Sequence, residues 1–79
     1  MLSVNSLRQV ISEVLRIPQD KITTEIRIHE VDTWNSLTHI ELVVTLEEKF
    51  QIQFTEDEIV AMTSIGEIQR TLKLRGVLA

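Results

Sequence analysis

The sequence predicts an all-α fold, a small four-helix bundle of three longer helices and one short one, with a long loop between the first two. Three observations lead there. Apolar residues make up 43% of the 79 residues, beside one proline and two glycines, too few turn-formers for a β-sandwich or barrel. Apolar positions recur at helical spacing in separate stretches. Residues that cap helices stand in front of those stretches.

The first helix carries Val4, Leu7, Val10, Ile11, Val14 and Leu15, with Arg8, Gln9, Ser12 and Glu13 between them. Ser3 is a candidate N-cap, and Pro18 forces Ile17 out of helical geometry. A short helical turn is expected around Pro18 to Lys21, since proline suits a first helical position. From there to Asn35 no period holds, although Ile22, Ile26, Ile28 and Val31 supply residues able to plug a core. Structureless loops of this length are uncommon in compact domains and tend to be functional.

Ser36 to Phe50 is the strongest helix, with Leu37, Ile40, Leu42, Val43, Val44, Leu46 and Phe50, and with Asn35 as N-cap. Thr55-Glu56-Asp57-Glu58 forms a capping box that opens a short segment through Met62. Ser64-Ile65-Gly66-Glu67 has the same pattern and opens a last helix through Ile68 and Leu72 toward Leu74, ended by Gly76. With no repeat, low-complexity tract or linker, residues 1–79 read as a single domain.

Net charge is −4, which argues against nucleic acid and against an anionic membrane surface, and favours basic protein partners. No apolar run reaches the length of a membrane span, and no secretory apolar stretch follows Met1. Cysteine is absent, so the polypeptide offers neither disulfides nor thiolate chemistry of its own. A cytoplasmic protein is expected. His29 and His39 lack carboxylate neighbours at metal-ligand spacing and read as surface residues, so no metal site is expected. Arg70, Lys73 and Arg75 read as partners of the last helix's dipole.

The second helix has more apolar residues than one core face needs. Leu37, Glu41, Val44 and Glu48 follow one another by four, three and four residues and form a separate stripe running down from Ser36. By spacing, the stripe is either a docking surface or the outer face of a generously apolar helix with solvated glutamates.

Asn35-Ser36-Leu37, then Ile40-Glu41-Leu42, then Leu46-Glu47-Glu48-Lys49-Phe50 resembles the signature of acyl carrier proteins. The likeness extends through Ile11 to Ile17 and Ile22-Thr23 upstream, and through Phe54 to Met62 and Thr63-Ser64-Ile65 downstream. The resemblance implies that Ser36 is esterified by 4′-phosphopantetheine, moved from coenzyme A by a magnesium-dependent phosphopantetheinyl transferase. It implies a carrier of acyl thioesters and not an enzyme, monomeric so that it can present Ser36 to several enzymes in turn. Asn35, Leu37, Glu41, Val44, Glu47 and Glu48 match positions that meet partner enzymes with basic docking surfaces, such as acyl-transferring or acyl-ligating synthases. Leu46, Ile59, Met62 and Ile65 are candidates for lining an acyl chain, with ordinary core packing the first account of each.

The site chemistry agrees with that implication. A first-turn serine offers a phosphodiester the unpaired N–H groups and the dipole of a helix N-terminus. Beside it, His39 has no acid placed to orient it, so no Ser-His-acid machinery is expected.

Two places depart from the family pattern. Asn35 stands where the family usually has aspartate: it caps as well but lacks the charge offered to the transferase and its metal. The residues before it, Val31-Asp32-Thr33-Trp34, differ from the glycine-containing run common in carriers of fatty acid synthesis, and of these Trp34 is the residue to weigh. It reads first as a loop anchor, and its presence beside the serine resembles carriers of polyketide, modified-sugar or aminoacyl pathways. The rival readings are a peptidyl or aminoacyl carrier, such as a D-alanyl carrier, and a helical interaction module in which Ser36 is an ordinary helix residue. The apparently whole first helix and short tail lead us to expect a free-standing protein.

Overall fold

A computed structural model describes residues 3–78 and bears out the all-α expectation. Four α-helices follow one another: α1 (Val4–Leu15), α2 (Ser36–Phe50), α3 (Glu56–Ala61) and α4 (Ile65–Leu74). A single 3₁₀ turn, Gln19–Lys21, follows Pro18.

Local chemistry sets most of the helix ends. Ser3 accepts from the Ser6 N–H at the start of α1 (3.2 Å), and Thr55 and Glu58 exchange reciprocal bonds at the start of α3. The α1 end comes slightly earlier than proline alone requires. Arg16 turns left-handed (φ 57°), and the Ser12 hydroxyl donates to the Ile17 carbonyl (2.6 Å) across the turn. At the end of α4, Gly76 takes φ 75°, its N–H donates to Lys73 O, and the Val77 N–H donates to Leu72 O. That pair of bonds is a Schellman motif, and it turns Leu78 back into the core.

One expected box is only half made. Ser64 accepts from the Glu67 N–H (3.1 Å), but the Glu67 carboxylate lies 3.8 Å from Arg70 instead of returning to the cap. Ser64 also pairs with Arg27 in an isolated antiparallel bridge, whose hydrogen bonds are made by the residues on either side: Ile28 N–H to Thr63 O and Ile65 N–H to Ile26 O. Arg75 also departs from its expected role at the dipole of α4. Its guanidinium grips both Glu58 carboxylate oxygens and donates to Gln53 O (2.6 Å), joining α4 to the start of α3. The Arg75 hydrogen bonds hold the Glu58 carboxyl down at about 2, with further help from the Thr55 N–H.

The core is aliphatic, as three aromatic residues dictate. Leu7, Ile11 and Leu15 of α1 meet Leu42, Val43 and Leu46 of α2, and Ile65, Ile68 and Leu72 of α4 close the other side. Met62, Phe50, Phe54 and the fully buried Trp34 fill the space between them.

The long loop is irregular but tied down. Ile22 is buried and Ile26, Ile28 and Val31 pack against the core. Its backbone is paired with Thr63 and with the first two residues of α4: Ile28 N–H to Thr63 O (2.9 Å), Ile65 N–H to Ile26 O (3.0 Å) and Gly66 N–H to Thr24 O (3.0 Å). Gly66 makes that approach possible, because a Cβ there would stand 3.2 Å from the Thr24 carbonyl oxygen.

Candidate functional site

The loop delivers the chain to the start of α2 through residues 29–35, and α2 itself holds them. The Trp34 carbonyl accepts from the His29 N–H (2.8 Å), with His29 at φ 71°. From the first turn of α2, the Thr38 hydroxyl donates to the Thr33 carbonyl (2.6 Å) and accepts from the Asn35 N–H (2.9 Å). Asn35 Oδ1 in return accepts from the Leu37 N–H (2.9 Å) and the Thr38 N–H (3.1 Å). The result is a capping box with threonine at its third position, where glutamate or glutamine is usual.

Ser36 is the first helical residue and is exposed. Among the described residues no hydrogen bond occupies its hydroxyl or its N–H. The cap changes what the helix end offers an anion. Two of the first-turn amides belong to Asn35, so the Ser36 N–H and the helix dipole remain, and not the full set of unpaired donors expected above. An exposed, unencumbered hydroxyl at a positive helix end fits a covalently attached phosphodiester.

His39 is buried (8% exposed), which corrects the surface placement expected for it. Its Nδ1 accepts from the Trp34 indole N–H (3.1 Å) and its Nε2 lies 3.0 Å from the Ile59 carbonyl. An indole can only donate and a carbonyl can only accept. The ring is therefore neutral, with its proton on Nε2. Both nitrogens are committed, so the ring has no atom left to serve Ser36 as a base. His29 is exposed, as expected.

Down the outer face of α2, Leu37 is 71% exposed and Val44 47%, with Glu41 and Glu48 exposed beside them. Ile40, 53% exposed, lies among them, three residues from Leu37 and four from Val44. Its sequence signal was present in that spacing, but an isoleucine in an apolar helix reads as core. Val60 of α3, 75% exposed, carries no such signal. The structure thus puts two glutamates and a group of aliphatic side chains on the helix that begins with Ser36.

Glu47 is placed differently. It is half-buried, and its Oε2 accepts from the Phe54 N–H (2.9 Å), closing the turn between α2 and α3. Leu46 and Met62 are fully buried and Ile65 nearly so, while Ile59 packs half-buried against them. Leu46, Met62 and Ile65 thus belong to the buried core, and Ile59 packs against it. Among the described residues no helix is long and apolar enough to cross a membrane.

A family model described as the phosphopantetheine attachment site matches residues 5–72. An acyl carrier protein of Borreliella burgdorferi (strain ZS7) is 34% identical over 71 residues, covering 90% of this chain and 89% of the relative. That of Sulfurovum sp. (strain NBC37-1) is 30% identical over 67 residues, 85% of this chain and 89% of the relative. That of Campylobacter curvus (strain 525.92) is 29% identical over 76 residues, 96% of this chain and 99% of the relative.

Proposed function

This chain belongs to the phosphopantetheine-attachment family of acyl carrier proteins, whose prosthetic group is covalent 4′-phosphopantetheine, and on that premise we propose that Ser36 is the attachment residue. The observation that carries the proposal is the position of Ser36: exposed, first in α2 behind the Asn35 cap, and with no hydrogen bond on its hydroxyl among the described residues. The group supplies the thiol that cysteine-free polypeptide lacks, holding acyl cargo as a thioester.

The chain's own residues present that serine. Asn35, Thr38 and the buried Trp34 keep the first turn in one conformation, so a transferase meets a preformed hydroxyl. Leu37, Ile40, Glu41, Val44 and Glu48 form the surface on which basic partners dock, the carboxylates steering encounter and the aliphatics supplying contact. The partners are a phosphopantetheinyl transferase and acyl-transferring or acyl-ligating synthases of the cytoplasm, each engaged in turn by a monomeric carrier. The chain performs no catalysis: the imidazole five residues from Trp34 is locked between indole and carbonyl.

The cargo is an acyl group of fatty acid or specialised biosynthesis. Trp34, set beside the serine, favours a specialised pathway, and an aminoacyl cargo is the second reading that the same residue supports.

The test is an intact mass and peptide map after incubation with coenzyme A, magnesium and a broad-specificity phosphopantetheinyl transferase. A phosphopantetheinyl increment on Ser36, absent from Ser36→Ala, is the expected result. An increment on another residue, or none with several transferases, would refute the assignment.

A further inference from the structure

The Trp34–His39–Ile59 chain joins three elements around Ser36. The His39 ring stands on the first turns of α2, Trp34 is the residue before the N-cap, and Ile59 belongs to the last turn of α3, whose carbonyls lack partners within the helix. Its Nε2–H supplies one of those carbonyls with a donor. Its Nδ1 supplies the only acceptor that the Trp34 indole has among the described residues. Trp34 is completely buried, so water does not replace a lost bond to that N–H.

Both bonds require one tautomer of one charge state. A second proton would enter at Nδ1 and face the indole N–H, donor against donor. The bond to Ile59 survives protonation, since Nε2 keeps its hydrogen and the C-terminal end of α3 favours a cation. Only the link to Trp34 breaks. We propose that His39 is a positioning residue for the loading of Ser36, and that its neutral ring makes this positioning sensitive to protons. The neutral ring pins Trp34, and with it Thr33 and Asn35, against α2. The imidazolium releases the indole and loosens the segment that presents the serine.

Among the described residues no neighbouring ion compensates for the change. On the loop, His29, Glu30 and Asp32 are exposed, and Glu30 accepts from the Arg27 N–H. On α3, Glu56 and Asp57 are exposed and Glu58 is held by Arg75. Glu41 of α2, and Glu13 and Arg16 at the end of α1, are likewise exposed. Both ring nitrogens meet neutral groups.

This inference rests on Ser36 being the attachment residue, and its test separates the two. In the unmodified chain, nitrogen NMR of the ring and of the Trp34 indole is followed as pH is lowered. Nδ1 should appear as a bare acceptor, and the indole N–H should shift with the midpoint at which His39 takes its proton. In parallel, loading from coenzyme A is timed for the wild type and for Trp34→Phe, which keeps an aromatic ring but has no N–H to oppose. Dividing one rate by the other at each pH removes the transferase's own profile.

The ratio should fall severalfold on acidification, with the NMR midpoint. In His39→Asn, whose Oδ1 is an acceptor that does not titrate, the corresponding ratio should be flat, while His29→Gln should behave as the wild type. A flat wild-type ratio, an indole signal indifferent to the ring, or a ring that stays neutral until the chain unfolds overturns the proposal. A chain not modified on Ser36 at any pH defeats the attachment reading and this one together. Normal loading with a flat ratio defeats this one alone.

Discussion

Replacing Asn35 tests how the start of α2 is held. Its Oδ1 accepts two backbone N–H groups, at 2.9 and 3.1 Å, while Thr38 separately satisfies the Asn35 N–H. Asn35→Ala removes the first pair and leaves the second. Loss of such a cap costs about 1 kcal/mol, which for a domain of this size lowers Tm by about 4–8 °C. Asn35→Asp keeps the acceptor and adds a negative charge to a positive helix end, a gain of about 0.3–1 kcal/mol at low ionic strength that salt should erode. The two variants should therefore move Tm in opposite directions in thermal unfolding followed by circular dichroism. Loading should also be at least as fast for Asn35→Asp as for the natural chain, since the substitution restores the carboxylate usual in the family. An unchanged Tm for Asn35→Ala, or a lower one for Asn35→Asp in low salt, would refute the capping account. A marked loss of loading in Asn35→Asp, with stability intact, would show that the transferase reads the amide itself.

The other expectations follow from single contacts. Glu58 has a folded-state pKa depressed from 4.5 to about 2, so its stabilising contribution is fully present above pH 4.5 and is lost as pH falls toward 2. Acid titration of stability should show that loss in the wild type and a smaller one in Arg75→Gln, where the main cause of the depression is gone. Glu47→Ala leaves the Phe54 N–H without its partner and should cost about 1–2 kcal/mol in urea unfolding, with little change in partner affinity. Rising salt should slow acyl transfer to the loaded arm, and Glu48→Gln should reduce that salt dependence; equal rates at low and high salt would remove the acidic stripe from docking.

Much of this protein was legible because its signals are local. Ser3, Asn35, Thr55 and Ser64 each bond a backbone N–H two or three residues ahead, so the residue and its partner lie in the same short window of sequence. Apolar spacing works over the same range, and α2 spans the interval from Ser36 to Phe50 expected for it. Contacts that cross between elements escaped. Arg75 reached 17 residues back to Glu58, and Glu47 turned inward to a backbone N–H seven residues on. Gly66 read as a weak point in a helix, and became the place where a carbonyl of the long loop comes close.

By itself the sequence determined that the chain is helical, where the helices begin, and that an acidic, over-apolar α2 starts at one serine, because propensity, capping and periodicity act within a turn or two of the chain. Tertiary structure decided what stands around that serine. His39 faces inward because Trp34 on one side and the end of α3, twenty residues away, on the other each require a nitrogen of opposite character. Pairing of that kind depends on which elements meet in space, and no window of local sequence contains both partners.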